Sequence, residues 1–488
     1  MISEVQFGPW MADQTDYKNP GLEECKNAIP SPSGYGPAYG PTGNGVTVSG
    51  TVVGAAGFER TDGVPVVCVA TTSDLYVIVS GAANASSLTL TLSQTTDQVI
   101  FERYNAKIYA STKNGDVWVL DDVDTDTTFA SATGSPPNAN AMARVSDFLV
   151  VGDVDDGTDY PYRLQWSQFN NPDGTWGTDV AAQSGYQDMD AQHGPITAIS
   201  GGTFGIVFQK FAVSRLTYAR NTAVFALDTY EKNRGCIAGH SVLRRGDIAY
   251  YLSSDGFMQT DGASAQSISR GRVWDWFLEN SNATYHPFVS GAIDWVRRCC
   301  VWTFAGGDTQ AHTKQIWFNW DTERWGYVEQ DVDRVFSTAK DGLTLEQVGS
   351  ANPDLDAMTQ SLDSAAFKPA GRNLAALVGG EVSEFTGSSL EAEFTTGSFQ
   401  PVTGQRTFVR SVTPIIANDS EGTIISLGAR ESMTKSFLTS ASVAIGPLGY
   451  AATNVDGRYF RVTARIPSGE VWSDAFGLQL EHEPSGAF

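Results

Sequence analysis

Basic side chains are scarce in this sequence. Thirty-two Lys and Arg stand against 55 Asp and Glu, a net charge of −23, which opposes equilibrium binding to a phosphate backbone or an anionic membrane surface. That argues against a reader of nucleic-acid sequence. It is compatible with a wall past which DNA slides without sticking, and equally with acidity that serves only solubility. Cysteine is thin as well. Cys25, Cys68, Cys236, Cys299 and Cys300 are odd in number and contain no C-x-x-C pair, and the adjacent two point to opposite faces of their predicted strand. No disulfide framework is implied. No stretch approaches the ~20 apolar residues of a membrane span, and residues 1–30 lack a basic start followed by an apolar core. The expectation is a chain made and assembled in a reducing cytoplasm, with no membrane partner.

Signals for chemistry are also missing. His193, His240, His286, His312 and His482 form no H-x-H, H-x-x-x-H or H-E-x-x-H spacing, so no metal site is assigned. There is no G-x-S-x-G elbow and no G-x-x-x-x-G-K-[ST] loop. Helix signals are nearly absent. The clearest is 271–280, where Val273, Trp274, Phe277 and Leu278 repeat at helical spacing for barely two turns.

What the sequence does have is glycine, aromatics and a repeated hairpin. Forty-nine glycines and 11% aromatics describe a turn-rich all-β protein whose rings fill the space between sheets. A short apolar-aromatic strand, a glycine turn and a second strand recur at 107–112 with 116–120, at 248–253 with 257–260, and at 374–378 with 381–385. Their turns are Asn114-Gly115, Asp255-Gly256 and Gly379-Gly380, pairs that supply the positive φ of two-residue hairpins. Looser copies sit at 148–152 with 162–166, at 205–208 with 213–218, and at 299–304 with 316–320. Their spacing approaches that of four-stranded propeller blades with insertions. The fold expected is an all-β propeller of about six blades over residues 100–387; a β-sandwich with long loops is the alternative.

Outside that region the character changes. Residues 1–45 interleave Pro20, Pro30, Pro32, Pro37 and Pro41 with glycines and with Trp10, Tyr17, Tyr35 and Tyr39, which reads as an extended arm docked on another surface, against the alternative of a mobile terminus. Residues 46–99 read as a β segment of a platform. Residues 388–488 read as a C-terminal antiparallel sandwich or barrel half, so the platform is built from N- and C-terminal segments. Arg406, Arg410, Arg430, Arg458, Arg461 and Arg465 lie on its strands, either as a solvated face or as subunit contacts.

Two acidic clusters, Asp121, Asp122, Asp124, Asp126 and Asp153, Asp155, Asp156, Asp159, read as solvated turn carboxylates; the second resembles a calcium loop but lacks the distant glutamate of an EF-hand. Asn171-Pro172-Asp173-Gly174-Thr175-Trp176 resembles a degraded Asp-box, the structural turn of sialidase-type propellers. A glycoside hydrolase needs two facing carboxylates, and nothing in the sequence nominates a pair. No catalytic, cofactor-binding or metal-binding residue is assigned, and no enzyme or cofactor is expected.

Three stretches together resemble the tail hub or nozzle proteins of short-tailed bacteriophages, also called packaged-DNA stabilisation proteins. The first runs from Asp16-Tyr17-Lys18-Asn19-Pro20-Gly21-Leu22 through Pro30-Ser31-Pro32-Ser33-Gly34-Tyr35. The second is Arg234-Gly235-Cys236-Ile237-Ala238-Gly239-His240-Ser241 leading into 247–261 and 268–277. The third is Gly457-Arg458-Tyr459-Phe460-Arg461-Val462 with 475–481. The resemblance spans most of the chain in order, and each motif is degenerate. It implies a β-propeller joined to a platform, six copies in a homo-hexameric ring below the head-to-tail adaptor at the portal vertex, and a location in the virion tail. The implied partners are that adaptor, tail fibre or needle and plug proteins, and transiting double-stranded DNA bound without sequence specificity. Residues 81–99 and 351–372 fall outside the blade pattern and are candidates for a gating loop. The competing expectation is a glycan-binding or glycan-cleaving propeller on the same particle.

Overall fold

The computed structural model describes residues 1–16, 19–220, 223–339, 372–418 and 422–486. Its strands assemble into seven four-stranded antiparallel units. Blade 1 is Val52–Glu59, Pro65–Thr71, Leu75–Val79 and Ala82–Ala85; blade 2 is Ile100–Tyr104, Lys107–Ser111, Val117–Leu120 and Ala130–Ser131. Blade 3 is Asn138–Val145, Phe148–Asp155, Asp159–Trp166 and Gly185–Asp188; blade 4 is Ile196–Ser200, Gly205–Gln209, Val213–Tyr218 and Phe225–Glu231. Blade 5 is Leu243–Arg245, Ile248–Ser253, Gly256–Thr260 and Ala265–Ser267, and blade 6 is Ser290–Asp294, Cys299–Phe304, His312–Asn319 and Arg324–Val332. Blade 7 takes Arg334–Ala339, Arg372–Val378 and Glu381–Glu384 from late in the chain and its outer strand, Thr42–Thr47, from the beginning.

First strands of successive blades lie side by side, the 3-10 turn Gly239–Ser241 supplementing the short first strand of blade 5, and the first strand of blade 7 returns to that of blade 1. The fold is therefore a closed β-propeller. Closure brings backbones very close: a Cβ on Gly57 of blade 1 would lie 2.2 Å from the Ser337 carbonyl oxygen of blade 7, so only glycine fits there. Each interface between blades has its own apolar cluster. Within Pro65–Thr71, Val66, Cys68 and Ala70 face the cluster shared with blade 2, while Val67 and Val69 face the cluster shared with blade 7. Because the side-chain period of a strand is two, a strand buried on both faces is apolar throughout instead of alternating. Cys299 and Cys300 behave likewise, one in the cluster between blades 6 and 7 and the other in the large cluster on the opposite face.

The platform is two stacked sheets. One contains Ala28–Pro30, Tyr35–Pro37, Ala475–Gly486, Arg406–Ile416 and Ala451–Gly457, with Ile2–Gln6 paired along Ala475–Gly486. The other contains Leu22–Lys26, Ala392–Thr396, Tyr459–Ile466 and Ile424–Arg430, and it continues into blade 6 because Lys26 pairs in parallel with Tyr327. One core runs through both parts: Trp10, Tyr35, Phe394, Val462 and Leu478 from the platform share a cluster with Phe257, Trp302 and Trp325 of blades 5 and 6.

Three sequence-based expectations change. The blade count is seven instead of about six, because residues 46–99, expected in the platform, supply blade 1; its strands Pro65–Thr71 and Leu75–Val79 are rich in Val, carry one ring, Tyr76, and are joined without a glycine turn. Residues 1–45 are not an extended arm on another surface. They contribute five strands and dock on this chain's own platform and blade 7, with Trp10 and Tyr35 fully buried. The helix at 271–280 is realised as Trp274–Asn280.

Trp10 anchors this docking. Its ring packs against Tyr327 and Trp276, its Nε1–H donates to the Glu23 carbonyl at 3.0 Å, and its backbone N–H donates to the Tyr35 hydroxyl at 2.8 Å. Trp10→Ala is expected to cost about 3–5 kcal/mol, measured by chemical denaturation followed by circular dichroism; a loss below about 1 kcal/mol would show that the segment is not an integral part of the core.

Candidate functional site at the axial face

The first strands of the blades begin on one face of the ring, where connecting segments from several blades meet. A cavity of about 200 Å³ there is lined by Gln98, Ile100, Asn140, Thr197, His240 and Phe288 among others. A neighbouring cavity of about 220 Å³ is lined by Thr51, Gln94, His312, Thr313, Asp333 and Arg334 among others. The two are linked through Phe288, whose carbonyl accepts from Arg334 Nη1 at 3.2 Å. No carboxylate lines the first cavity. The second has Asp331, exposed at its mouth, and Asp333, whose Oδ2 accepts from the Gly380 N–H at 2.8 Å.

Electrostatics at this face are set by burial. Burial, and then the charge of Arg334, push the His240 imidazole down to about 3. The same two causes take His312 to about 3 against the opposing pull of the Phe288 carbonyl, and His312 Nδ1 pairs with the Thr303 hydroxyl at 2.8 Å. Burial lowers Arg334 itself to about 10, partly offset by Asp333, so it stays protonated at neutral pH. Elsewhere burial raises the Glu102 carboxyl to about 7; it accepts from the Arg144 N–H at 3.1 Å, and Arg144 is the group that opposes the shift. No second acid contributes to the Glu102 shift.

The features singled out in the sequence serve the framework. Asp124 accepts from the Thr61 N–H at 2.8 Å and Oγ1–H at 2.9 Å, bonds that hold its carboxyl below the usual range and tie blade 2 to blade 1. Lys113 Nζ lies 2.5 Å from Asp153 and 2.8 Å from Asp159, so the second acidic cluster already holds a cation of the chain's own. No group of three or more His, Cys, Asp or Glu among the described residues is placed to hold a metal ion. In the Asp-box-like turn, Asp173 accepts from the Tyr109 hydroxyl at 2.8 Å and faces Lys107 Nζ at 2.8 Å, while Trp176 is buried between blades 2 and 3 with its Nε1–H on the Pro172 carbonyl. The turn is a strut between blades.

Five of the six platform arginines pair with acids of the chain, Arg430 with Asp16 at 3.1 Å, Arg461 with Glu23 at 2.7 Å, Arg410 with Glu483 at 2.7 Å, Arg406 with Asp456 at 3.0 Å and Arg465 with Glu391 at 3.9 Å, while Arg458 donates to the Gly404 carbonyl at 3.0 Å. His286 stacks on Phe277, and His482 pairs with the Ser3 hydroxyl at 2.7 Å. All five cysteines are free and buried. Of the candidate gating segments, 81–99 carries the outer strand of blade 1 and its connection to blade 2. The other, 351–372, lies outside the described residues apart from Arg372, which begins a strand of blade 7. Sequence reasoning missed Arg334, Gln98 and His240 as a group, because they come from separate blades and share no motif.

No protein-family profile matches this sequence, and no curated protein sequence matches it. Among solved structures, one titled "Crystal Structure of Mitotic Checkpoint Complex" is similar at 10% identity and a TM-score of 0.35, over 64% of this chain and 84% of that one. Another, "YCF48 bound to D1 peptide", is similar at 11% identity and a TM-score of 0.31, over 48% of this chain and 67% of that one. The propeller assignment rests on the strand topology itself.

The two neutral imidazoles make stability pH-dependent. Their folded pKa lies below the unfolded value near 6.5, so below pH 6.5 the unfolded chain binds protons that the folded chain refuses, and stability falls as pH falls toward 3. Each imidazole is expected to cost about 2 kcal/mol at pH 5 relative to pH 7. His240→Asn removes one share of that slope, to be read from denaturation curves at the two pH values; an unchanged slope would place the charge coupling elsewhere.

Proposed function

We propose that this chain is a structural virion protein, a tail nozzle or hub subunit of a short-tailed bacteriophage. In this reading it forms a ring below the portal adaptor, retains packaged DNA and conducts it at ejection. The observation that carries the reading is where the three resembling stretches lie. Tyr35 from the first, Ala238 with Tyr250, Phe257 and Phe277 from the second, and Phe460, Val462, Leu478 and Leu480 from the third all enter the one core that joins platform to propeller. Sequence runs hundreds of residues apart are thus the parts of one junction, the propeller-to-platform joint that the resemblance implies.

Charge and chemistry are in keeping with a conduit. Six copies would multiply the net charge of −23, so a duplex in transit meets a repulsive wall with little to bind it. The axial cavity with Gln98, Asn140 and His240 offers no carboxylate, whereas glycoside hydrolysis needs two; the neighbouring cavity has Asp331 and Asp333 on its wall, the latter held by the Gly380 N–H.

Single-particle electron microscopy of the purified protein with the cognate adaptor tests the proposal. The expected result is a six-fold ring with a central channel, docked on the adaptor. Absence of the chain from purified virions, or monomers that ignore the adaptor and bind in a glycan screen, would sink it.

A further inference from the structure

Arg334 is a positive charge taken out of water. It sits in the first strand of blade 7 with 6% of its surface exposed, its Nη1 donates to one backbone carbonyl, and its buried Nε has no partner. It makes no ion pair among the described residues. Arg430, 8% exposed and likewise with an unpartnered Nε, differs in reaching a carboxylate, Asp16, at 3.1 Å. Taking a guanidinium out of water costs several kcal/mol unless an anion or a full set of acceptors replaces the lost hydration.

The groups around Arg334 supply that replacement only in part. Asp333, its neighbour in sequence, offsets some of the burial from beyond ion-pair contact while it accepts from the Gly380 N–H, and Asp331 is exposed on the wall of the same cavity. His240 and His312, which feel the Arg334 charge, are neutral and bring no negative charge. What adjoins Arg334 is open space, the cavity of about 220 Å³, with the hydroxyls of Thr51 and Thr313 on its wall. Thr313 Oγ1 accepts from the Gly306 N–H at 3.2 Å, which leaves its own O–H available to donate. A guanidinium with a free N–H beside hydroxyl donors is the donor set that oxyanions take, through short charge-assisted bonds in a desolvated setting.

We propose that Arg334 and the cavity beside it bind one small tetrahedral oxyanion, free phosphate or sulfate, which supplies the direct ion pair that the described residues do not. The site lies where blades 6, 7 and 1 meet, so the anion acts as a bolt at the point where the ring closes. A duplex about 20 Å across is too wide to enter a cavity of about 220 Å³. The inference stands apart from the nozzle reading, because it concerns a closure point within one chain.

The test uses the full chain in a buffer free of oxyanions, titrated with inorganic phosphate, with sodium chloride at matched ionic strength to remove screening effects. Thermal unfolding is expected to rise saturably by about 1–3 °C in phosphate and not in chloride, and calorimetric titration to give one site per chain. Arg334→Met keeps the length of the side chain and removes the charge. It is expected to unfold at or above the wild-type temperature in oxyanion-free buffer and to lose the phosphate response. A short duplex at the same phosphate concentration is expected to give no shift. No saturable response in the wild type, the same response in Arg334→Met, or a response to duplex alone would each overturn the proposal; the first needs no variant to fold.

Discussion

The structure depends on a backbone pairing between the two ends of the chain's working length: Thr42–Thr47 laid against Glu381–Glu384. A propeller ring closes, leaving only short outer edges, once its last blade is complete. Here the outermost strand of blade 7 comes from before blade 1, so the strand that finishes the ring leads directly into its start. Hydrogen bonds give that pairing its register, and burial gives it strength: Val46, Val48 and Val52 pack with Phe336, Leu377 and Val382 in the cluster between blades 7 and 1. Gly57 lets the first strands of those blades approach to backbone contact.

A second pairing fixes the platform to the ring. Lys26 beside Tyr327 is one residue pair in register, yet it makes the outer strand of blade 6 a member of the platform sheet. Gly326 allows the approach, since a Cβ there would lie 2.3 Å from the Ala28 carbonyl oxygen. The aromatic cluster of Phe257, Trp302, Trp325 and Phe318 then continues into Phe7, Trp10 and Phe394 without a polar layer between. A joint with continuous sheet and continuous core does not flex as a linker would, so propeller and platform behave as one body.

The all-β class and most of the blades were legible because local turn chemistry and apolar strands repeat. The details of those turns were less so. At Gly379-Gly380 both residues have positive φ, 58° and 79°, as a tight hairpin of that sequence demands. At Asp255-Gly256 the two-residue loop is Ser254-Asp255, and Gly256 opens the next strand with φ 131°. At Asn114-Gly115 the strands end at Ser111 and resume at Val117, so the connection is longer than the dipeptide suggests. Blade 1 was illegible as a blade because its strands are mostly Val and Ala, with only Phe58 and Tyr76 as rings and no glycine turn between the second and third strands. The N-terminal strands were hidden by proline, which is tolerated here in short strands such as Ala28–Pro30 and Tyr35–Pro37. The axial face could not be read from sequence at all: Gln98, His240, His312 and Arg334 meet only once the ring is closed.

The interleaving of chain ends also sets an order of events during synthesis. Strands Leu22–Lys26 and Thr42–Thr47 leave the ribosome early, but their partners Ala392–Thr396 and Glu381–Glu384 follow more than three hundred residues later. At about 5–20 residues per second, those early strands wait tens of seconds with exposed edges. Blades 1 to 5 are made of sequential hairpins and can form as they emerge, whereas the ring and platform form together, late, and only in a chain that has been finished. Closure thus couples assembly competence to completeness: a chain cut short presents open edges in place of a sealed ring.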